Sequence, residues 1–237
     1  MALITDINQV LRTDPTNLDE YLRFISGDRV TPRERQFVLK DRHLMGRVRT
    51  SLGIKRALAV AMALMDGCFQ WRQPGFNGYY RQLAGRYVMG NQQRGLNAFL
   101  ASNQMQQTLN CWESVLTGLY VIGYITEQQI YNNVYAVLET QSSLPSPQVW
   151  NKLGYNTTME YRRVGNVAAG TLLYYVPANN GRLTQSFPNH IAVSIGNNQA
   201  VSLWTQPNNI DSAQRINVVN TFPNHRIFLG EPRQIFS

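Results

Sequence analysis

Apolar residues recur at helical spacing through the first quarter of the chain and at strand spacing through its last third. Leu18, Tyr21, Leu22 and Ile25 fall at i, i+3, i+4 and i+7, which makes one apolar stripe on a helix. Asp14-Pro15-Thr16 and Thr31-Pro32 place turn formers or caps ahead of helical patterns. Residues 32–65 continue the pattern, strewn with Arg33, Arg35, Arg42, Arg47, Arg49 and Arg56, and Gly46 and Gly53 are expected to break it. Residues 1–66 therefore read as a helical N-terminal region.

Residues 67–105 are rich in Gly, Gln, Asn and Tyr and read as loops with short elements. Helices are predicted from Cys111 to Gly123 and from Thr126 to Thr140, followed by a loop over 141–147. From about Val164 the texture becomes that of strands: 170–176, 191–195, 200–204, 216–219 and 226–229. Helices first and sheet last predict an α+β fold. The expected division is 1–66 and 67–237, with a single compact domain as the alternative.

Cys111 carries the candidate chemistry. Asn110 is a good N-cap, Glu113 stands three positions later as in a capping box, and Val115, Leu116, Leu119 and Ile122 follow as an apolar stripe. That puts the thiol at a helix N-terminus, where unpaired N–H groups and the positive dipole end favour a thiolate. A buried structural cysteine on a core helix is the alternative. Residues 189–204 read as a β-hairpin about a three-residue turn, Gly196 to Asn198. Ile195 then opposes Gln199, Val193 opposes Val201 and Ile191 opposes Leu203, so the branched aliphatics share one face. The other face carries His190, Ala192, Ser194, Ala200, Ser202 and Trp204, small enough to admit a facing helix end. His190 is thus the candidate base, with Ser202 on the partner strand to orient it.

Asn110-Cys111-Trp112 opening a helix resembles the nucleophile segment of papain-like cysteine proteases. Ala169-Gly170-Thr171, followed by the strand from His190 to Gly196, is similar to the NlpC/P60 branch of that superfamily. The resemblance covers roughly residues 107–205 and implies a nucleophile helix packed on an antiparallel sheet. It also implies amide hydrolysis, with protease, deamidase and acyltransferase relatives. Thr171 stands where the family has Asp, and the third catalytic position falls on Ser202, with Asn208, Asn209 and Asp211 as substitutes. Gln106 or Gln107 would supply an oxyanion-hole side chain, Gln107 being the preferred candidate, beside the Cys111 backbone N–H.

Composition narrows the function classes. The 22 basic residues exceed the 14 acidic ones, giving a net charge of +8, and only Lys40, Lys55 and Lys152 are lysines. Such a balance suits an acidic partner, whether polyanion, membrane surface or cell wall, and lysine depletion suits a chain that must avoid ubiquitin attachment. The N-terminus lacks the pattern of a cleaved secretory signal, and the longest apolar run, Ala57 to Met65, is far below the ~20 residues of a membrane span. Cys68 and Cys111 are the only cysteines, either free or paired once. Cys68 reads as packed beside Phe69 and Trp71, and His43 as exposed on the Arg-rich helix. His225 is a weaker rival to His190; the tetrapeptide Phe-Pro-Asn-His occurs at both 187–190 and 222–225. No metal-ligand spacing, phosphate loop or dinucleotide fingerprint is present, so no cofactor or metal is expected.

The chain is accordingly expected to be a soluble cysteine hydrolase acting on a peptide or protein. The setting expected by analogy is a bacterial toxin or effector exported without a classical signal, with an immunity protein or chaperone as partner; a cytoplasmic enzyme is the alternative. A glutamine deamidase or transglutaminase-like effector and a non-catalytic binding protein are the competing functions.

Overall fold

Local capping sets the helical half. The computed structural model describes residues 2–71, 96, 100, 108–139, 147–155, 159–162, 165–204, 210 and 212–237. Helix α1 (Ala2–Thr13) leads through a turn to α2 (Leu18–Ile25), whose cap is Asn17, its side chain accepting from the Glu20 N–H at 3.2 Å. Helix α3 (Pro32–Lys40) starts with Pro at N1 and a full Thr31–Glu34 capping box. Asp41 then caps α4 (Arg42–Met65) by accepting from the Leu44 N–H. Of the two expected breaks, only Gly53 leaves helical geometry, at φ 74° and ψ 169°; Gly46 stays within the helix. The apolar run Ala57–Met65 is buried along its whole length, as the central helix of the core.

Helix α5 (Cys111–Val121) packs on α4 and on the sheet, and every one of its residues is buried. The expected apolar stripe was too narrow: a helix enclosed by a neighbour helix and a sheet has no solvent face. Its close approach to α4 uses Gly118, where a Cβ would lie 2.8 Å from Leu58 Cδ1. Helix α6 (Glu127–Ile130) passes through a π-helical turn (Tyr131–Tyr135) into α7 (Ala136–Glu139), and α8 (Pro147–Lys152) follows. Thr140 and residues 141–146 of the expected 141–147 loop lie outside the described residues, and Pro147 opens α8 instead.

Two short strands, β1 (Gln70–Trp71) and β2 (Thr108–Leu109), pair in parallel just ahead of α5. The main sheet is antiparallel, with the order β3 (Glu160–Tyr161), β9 (His225–Gly230), β4 (Leu172–Asn179), β6 (His190–Gly196), β7 (Gln199–Leu203), β8 (Ala213–Asn217). Strand β5 (Arg182–Leu183) folds back on the end of β4. The architecture is therefore α+β, a helical N-terminal part with an antiparallel sheet.

The β6–β7 hairpin differs from expectation in one respect. Val193 does oppose Val201, but Gly196 rather than Ile195 opposes Gln199, and the register shifts between Ser194 and Gly196. Asn197 and Asn198 both have positive φ, 51° and 55°, which makes a two-residue primed turn whose twist matches the strands. The bulge absorbs the extra residue.

Alternation sorts the sheet onto two faces. Leu172, Tyr174, Val176, Ile191, Val193, Ile195, Val201 and Leu203 join one core with α1 to α5, continuous from Leu3 to Ile235. Leu173, Tyr175, Ala192, Ala200 and Ile216 join a second core with Tyr161, Val167, Val218 and Phe222. Both faces are buried. Among the described residues no helix is long and apolar enough to cross a membrane.

Candidate active site around Cys111 and His190

The start of α5 is built as its sequence prescribes. Asn110 Oδ1 accepts from the Glu113 N–H at 2.9 Å, and Glu113 Oε2 accepts from the Asn110 N–H at 2.9 Å. Glu113 is itself buried, and its second oxygen, Oε1, accepts from Tyr135 Oη at 2.6 Å, the tyrosine being supplied by the π-helical turn. The cap is thereby tied to a second helix, a link between residues far apart in sequence that local pattern does not reveal.

Cys111 follows this cap with only 7% of its surface exposed. Burial pushes its thiol up to about 11, against the nearby backbone N–H groups of Ile191, Trp112 and Cys111, which favour the thiolate. The Glu113 carboxylate adds to the upward push. Ile191 is the residue directly after His190, so the sulfur meets β6 at its first turn.

His190 opens β6 and is completely buried. Its Nε2 lies 2.7 Å from Ser202 Oγ on β7, which is also fully buried, as the hairpin register predicts. Among the described residues its Nδ1 has no hydrogen-bond partner. Desolvation drives its pKa down to about 3, with the charge of His225 acting in the same direction. The ring stacks on Trp204 at 4.6 Å and meets Tyr175 and Phe222 at 5.6 and 5.3 Å.

The face assignment needs correction. The face bearing His190 was expected to receive the helix end, but α5 lies on the aliphatic face, with Cys111, Trp112, Val115 and Leu116 in the same core as Ile191, Val193 and Ile195. The reason is area: large apolar side chains on both partners bury more surface there than the small residues opposite could. Sulfur and imidazole therefore converge on the first two residues of β6 from opposite sides, and among the described residues no hydrogen bond joins them.

The repeated tetrapeptide has a structural meaning. His190 and His225 each open a strand flanking β4, paired with Tyr175 and Pro177 respectively. Phe222 of the second copy lies between the two histidine rings, 5.3 Å from one and 5.7 Å from the other. His225 is half-buried, its pKa lowered by desolvation, and it lines a surface cavity of about 480 Å³ with Glu160, Arg162, Asn180 and Arg226.

The other candidates fall elsewhere. Cys68 is free and buried, its thiol donating to the carbonyls of Pro32 at 3.2 Å and Leu64 at 3.5 Å, and burial raises it to about 12. Its packing is against helix-end carbonyls rather than the expected aromatic rings alone. His43 is exposed on α4. Thr171 is buried at the entry to β4, its carbonyl accepting from the Ser194 N–H. Gln106, Gln107, Asn208, Asn209 and Asp211 lie outside the described residues. Among those described, no group of three or more His, Cys, Asp and Glu side chains is placed to hold a metal. The aromatic shell of Tyr175, Trp204 and Phe222 was missed, although the Phe-Pro-Asn-His echo signalled Phe222. No protein-family profile, curated protein or solved structure matches this chain.

Proposed function

We propose that the chain is a cysteine hydrolase that cleaves an amide bond in a peptide or protein, with Cys111 as nucleophile, His190 as base and Ser202 as the residue that orients the base. One observation carries this reading: a buried imidazole held at Nε2 by Ser202 keeps its Nδ1 unpartnered, while the next residue's N–H lies near the sulfur of the cysteine that opens α5. A buried nitrogen without a partner is costly, and a catalytic role is one reason for keeping one. The neutral ring carries one proton. With that proton on Nε2 and donated to Ser202 Oγ, the Nδ1 lone pair is free to accept from a thiol.

In the proposed reaction the Cys111 sulfur attacks the amide carbon as its proton passes to Nδ1. The tetrahedral intermediate collapses, the C–N bond breaks, and the amine leaves with that proton. Water then attacks the thioester, giving a proton to His190, and the carboxylic acid departs as the sulfur regains its hydrogen. The reading requires Nδ1 to come within reach of the sulfur, from the opposite side of the start of β6, when substrate is bound. The resemblance to papain-like and NlpC/P60 enzymes supports the same assignment.

The test uses p-nitrophenyl acetate. Wild type and Cys68→Ala should release a burst of nitrophenolate and carry one acetyl group on the Cys111 peptide. Cys111→Ala should lose both, and His190→Gln should slow acylation by about 10²- to 10⁴-fold. An undiminished burst in Cys111→Ala, or acylation indifferent to His190, refutes the proposal.

A further inference from the structure

Asn110 carries a donor that its capping role does not use. The cap bond fixes the orientation of its amide: the group accepting from the Glu113 N–H at 2.9 Å must be the oxygen, so the nitrogen is Nδ2 by necessity. Asn110 is only 2% exposed, and among the described residues Nδ2 has no hydrogen-bond partner. Asp would cap the helix equally well without bringing a surplus donor into the interior. The sequence thus places a buried, unsatisfied N–H₂ group one residue before the cysteine, at the N-terminus of an 11-residue helix.

The backbone N–H groups of Cys111 and Trp112, with that of Ile191, lie near enough to the sulfur to favour its thiolate, and the Asn110 N–H is taken by Glu113 Oε2. A carbonyl oxygen brought to Cys111 for attack gains from a donor beyond those that serve the sulfur. Nδ2 is the one described polar atom at the cap that is both buried and free. An orphan donor in a low-dielectric site is stabilised by a group that becomes anionic there, since hydrogen bonds to charged acceptors are the stronger ones.

We propose that Asn110 Nδ2 donates a hydrogen bond to the oxyanion formed when Cys111 attacks a substrate carbonyl, which makes Asn110 a catalytic residue as well as the helix cap. This rests on reading Cys111 as an acyl-transfer nucleophile. The negative charge gathers on the former carbonyl oxygen as the S–C bond forms, and returns to the carbonyl when the leaving group is expelled.

Two reactions of the same thiol separate this role from a structural one. Acylation by p-nitrophenyl acetate passes through an oxyanion; alkylation by iodoacetamide displaces iodide at a saturated carbon and forms none. Asn110→Gly removes the donor and adds neither a hydroxyl nor a charge, at a cap position where glycine is tolerated. It should slow Cys111 acylation by roughly 10²- to 10³-fold and leave the alkylation rate unchanged. Asn110→Ala, which likewise adds neither donor nor charge, should show the same split, and it decides the matter if the glycine variant does not fold. Acylation at the wild-type rate in a folded variant overturns the proposal. So does a parallel fall in both rates, which would mean that Asn110 only positions the thiol. Failure of the underlying reading is distinct: wild-type acylation would then be indifferent to His190→Gln, whatever the Asn110 variants do.

Discussion

Lowering the pH should destabilise the protein through His190 before its carboxylates contribute, and the size of the effect follows from burial. The ring is enclosed by Trp204, Tyr175 and Phe222 and its pKa is held near 3, against an ordinary value of 6.5. The native state binds fewer protons at this site than the unfolded chain between those two values. Its contribution is therefore fully present above pH 6.5 and is lost as pH falls toward 3. Integrating the linkage relation for one group gives a loss of about 2 kcal/mol between pH 7.5 and pH 5, growing to ~3 kcal/mol at pH 4. Urea unfolding followed by circular dichroism at pH 7.5, 6, 5 and 4 measures it, with His190→Gln as the comparison. The variant has a different stability at neutral pH, but its decline toward pH 5 should be shallower than that of wild type by about the same 2 kcal/mol. His225→Gln should also flatten the wild-type curve, because desolvation lowers the pKa of His225 itself and its protonation in the unfolded chain adds to the loss. Parallel curves for wild type and His190→Gln would refute the reasoning, since the buried ring would then titrate as it does in the unfolded chain.

Four further outcomes follow from particular contacts. Ser202→Ala leaves Nε2 of His190 buried without its partner and should cost ~1–3 kcal/mol in urea unfolding at neutral pH. Gly170→Ala should prevent folding or cost more than ~3 kcal/mol by thermal melting, because a Cβ there would lie 1.7 Å from the Lys55 carbonyl oxygen on backbone at φ +81°. Asn198→Gly should raise stability by ~0.5–1 kcal/mol, since it relaxes a positive φ in the hairpin turn and removes a buried carbonyl oxygen that has no partner. The iodoacetamide rate at Cys111, followed by mass spectrometry, should keep rising with pH toward the thiol's value of about 11, whereas a pH-independent plateau through neutrality would contradict that value.

What the sequence revealed depends on the range of the interaction. The Asn110–Glu113 capping box is a three-residue signal and forms with its expected bonds, and the start expected at Thr31-Pro32 forms with a Glu34 box that had gone unread. The pairing of Val193 with Val201 and the reach of Ser202 to His190 follow from strand alternation alone. Which face of the sheet meets α5 does not follow, because both faces are buried and alternation marks a solvent side only where one exists. The bulge at Ile195 escaped because a three-residue turn satisfies the same apolar pattern as a primed two-residue turn with a bulge. The link from Tyr135 to Glu113 spans 22 residues and two helices and has no local signature. The aromatic enclosure of His190 brings together β4, the end of β7 and the turn before β9, an arrangement only the strand order creates.

The electrostatics of the site constrain how the proposed chemistry can run. With the thiol near 11 and the imidazole near 3, both are neutral at pH 7. Forming a thiolate–imidazolium pair without relief of burial would cost roughly 11 kcal/mol before the two charges attract one another. A preformed ion pair is therefore not the resting state of this closed arrangement. Desolvation is the first cause of both shifts and acts on both groups in the direction that opposes charge separation. Two routes remain for Cys111 and His190. Either substrate binding replaces the apolar surroundings with dipoles that stabilise the pair, or the proton moves to Nδ1 as the S–C bond forms, so that charge appears on the carbonyl oxygen and not on the sulfur. The second route puts its main demand on the group that receives that oxygen. The proposed Asn110 donor meets that demand, and the N–H groups near the sulfur serve the first route.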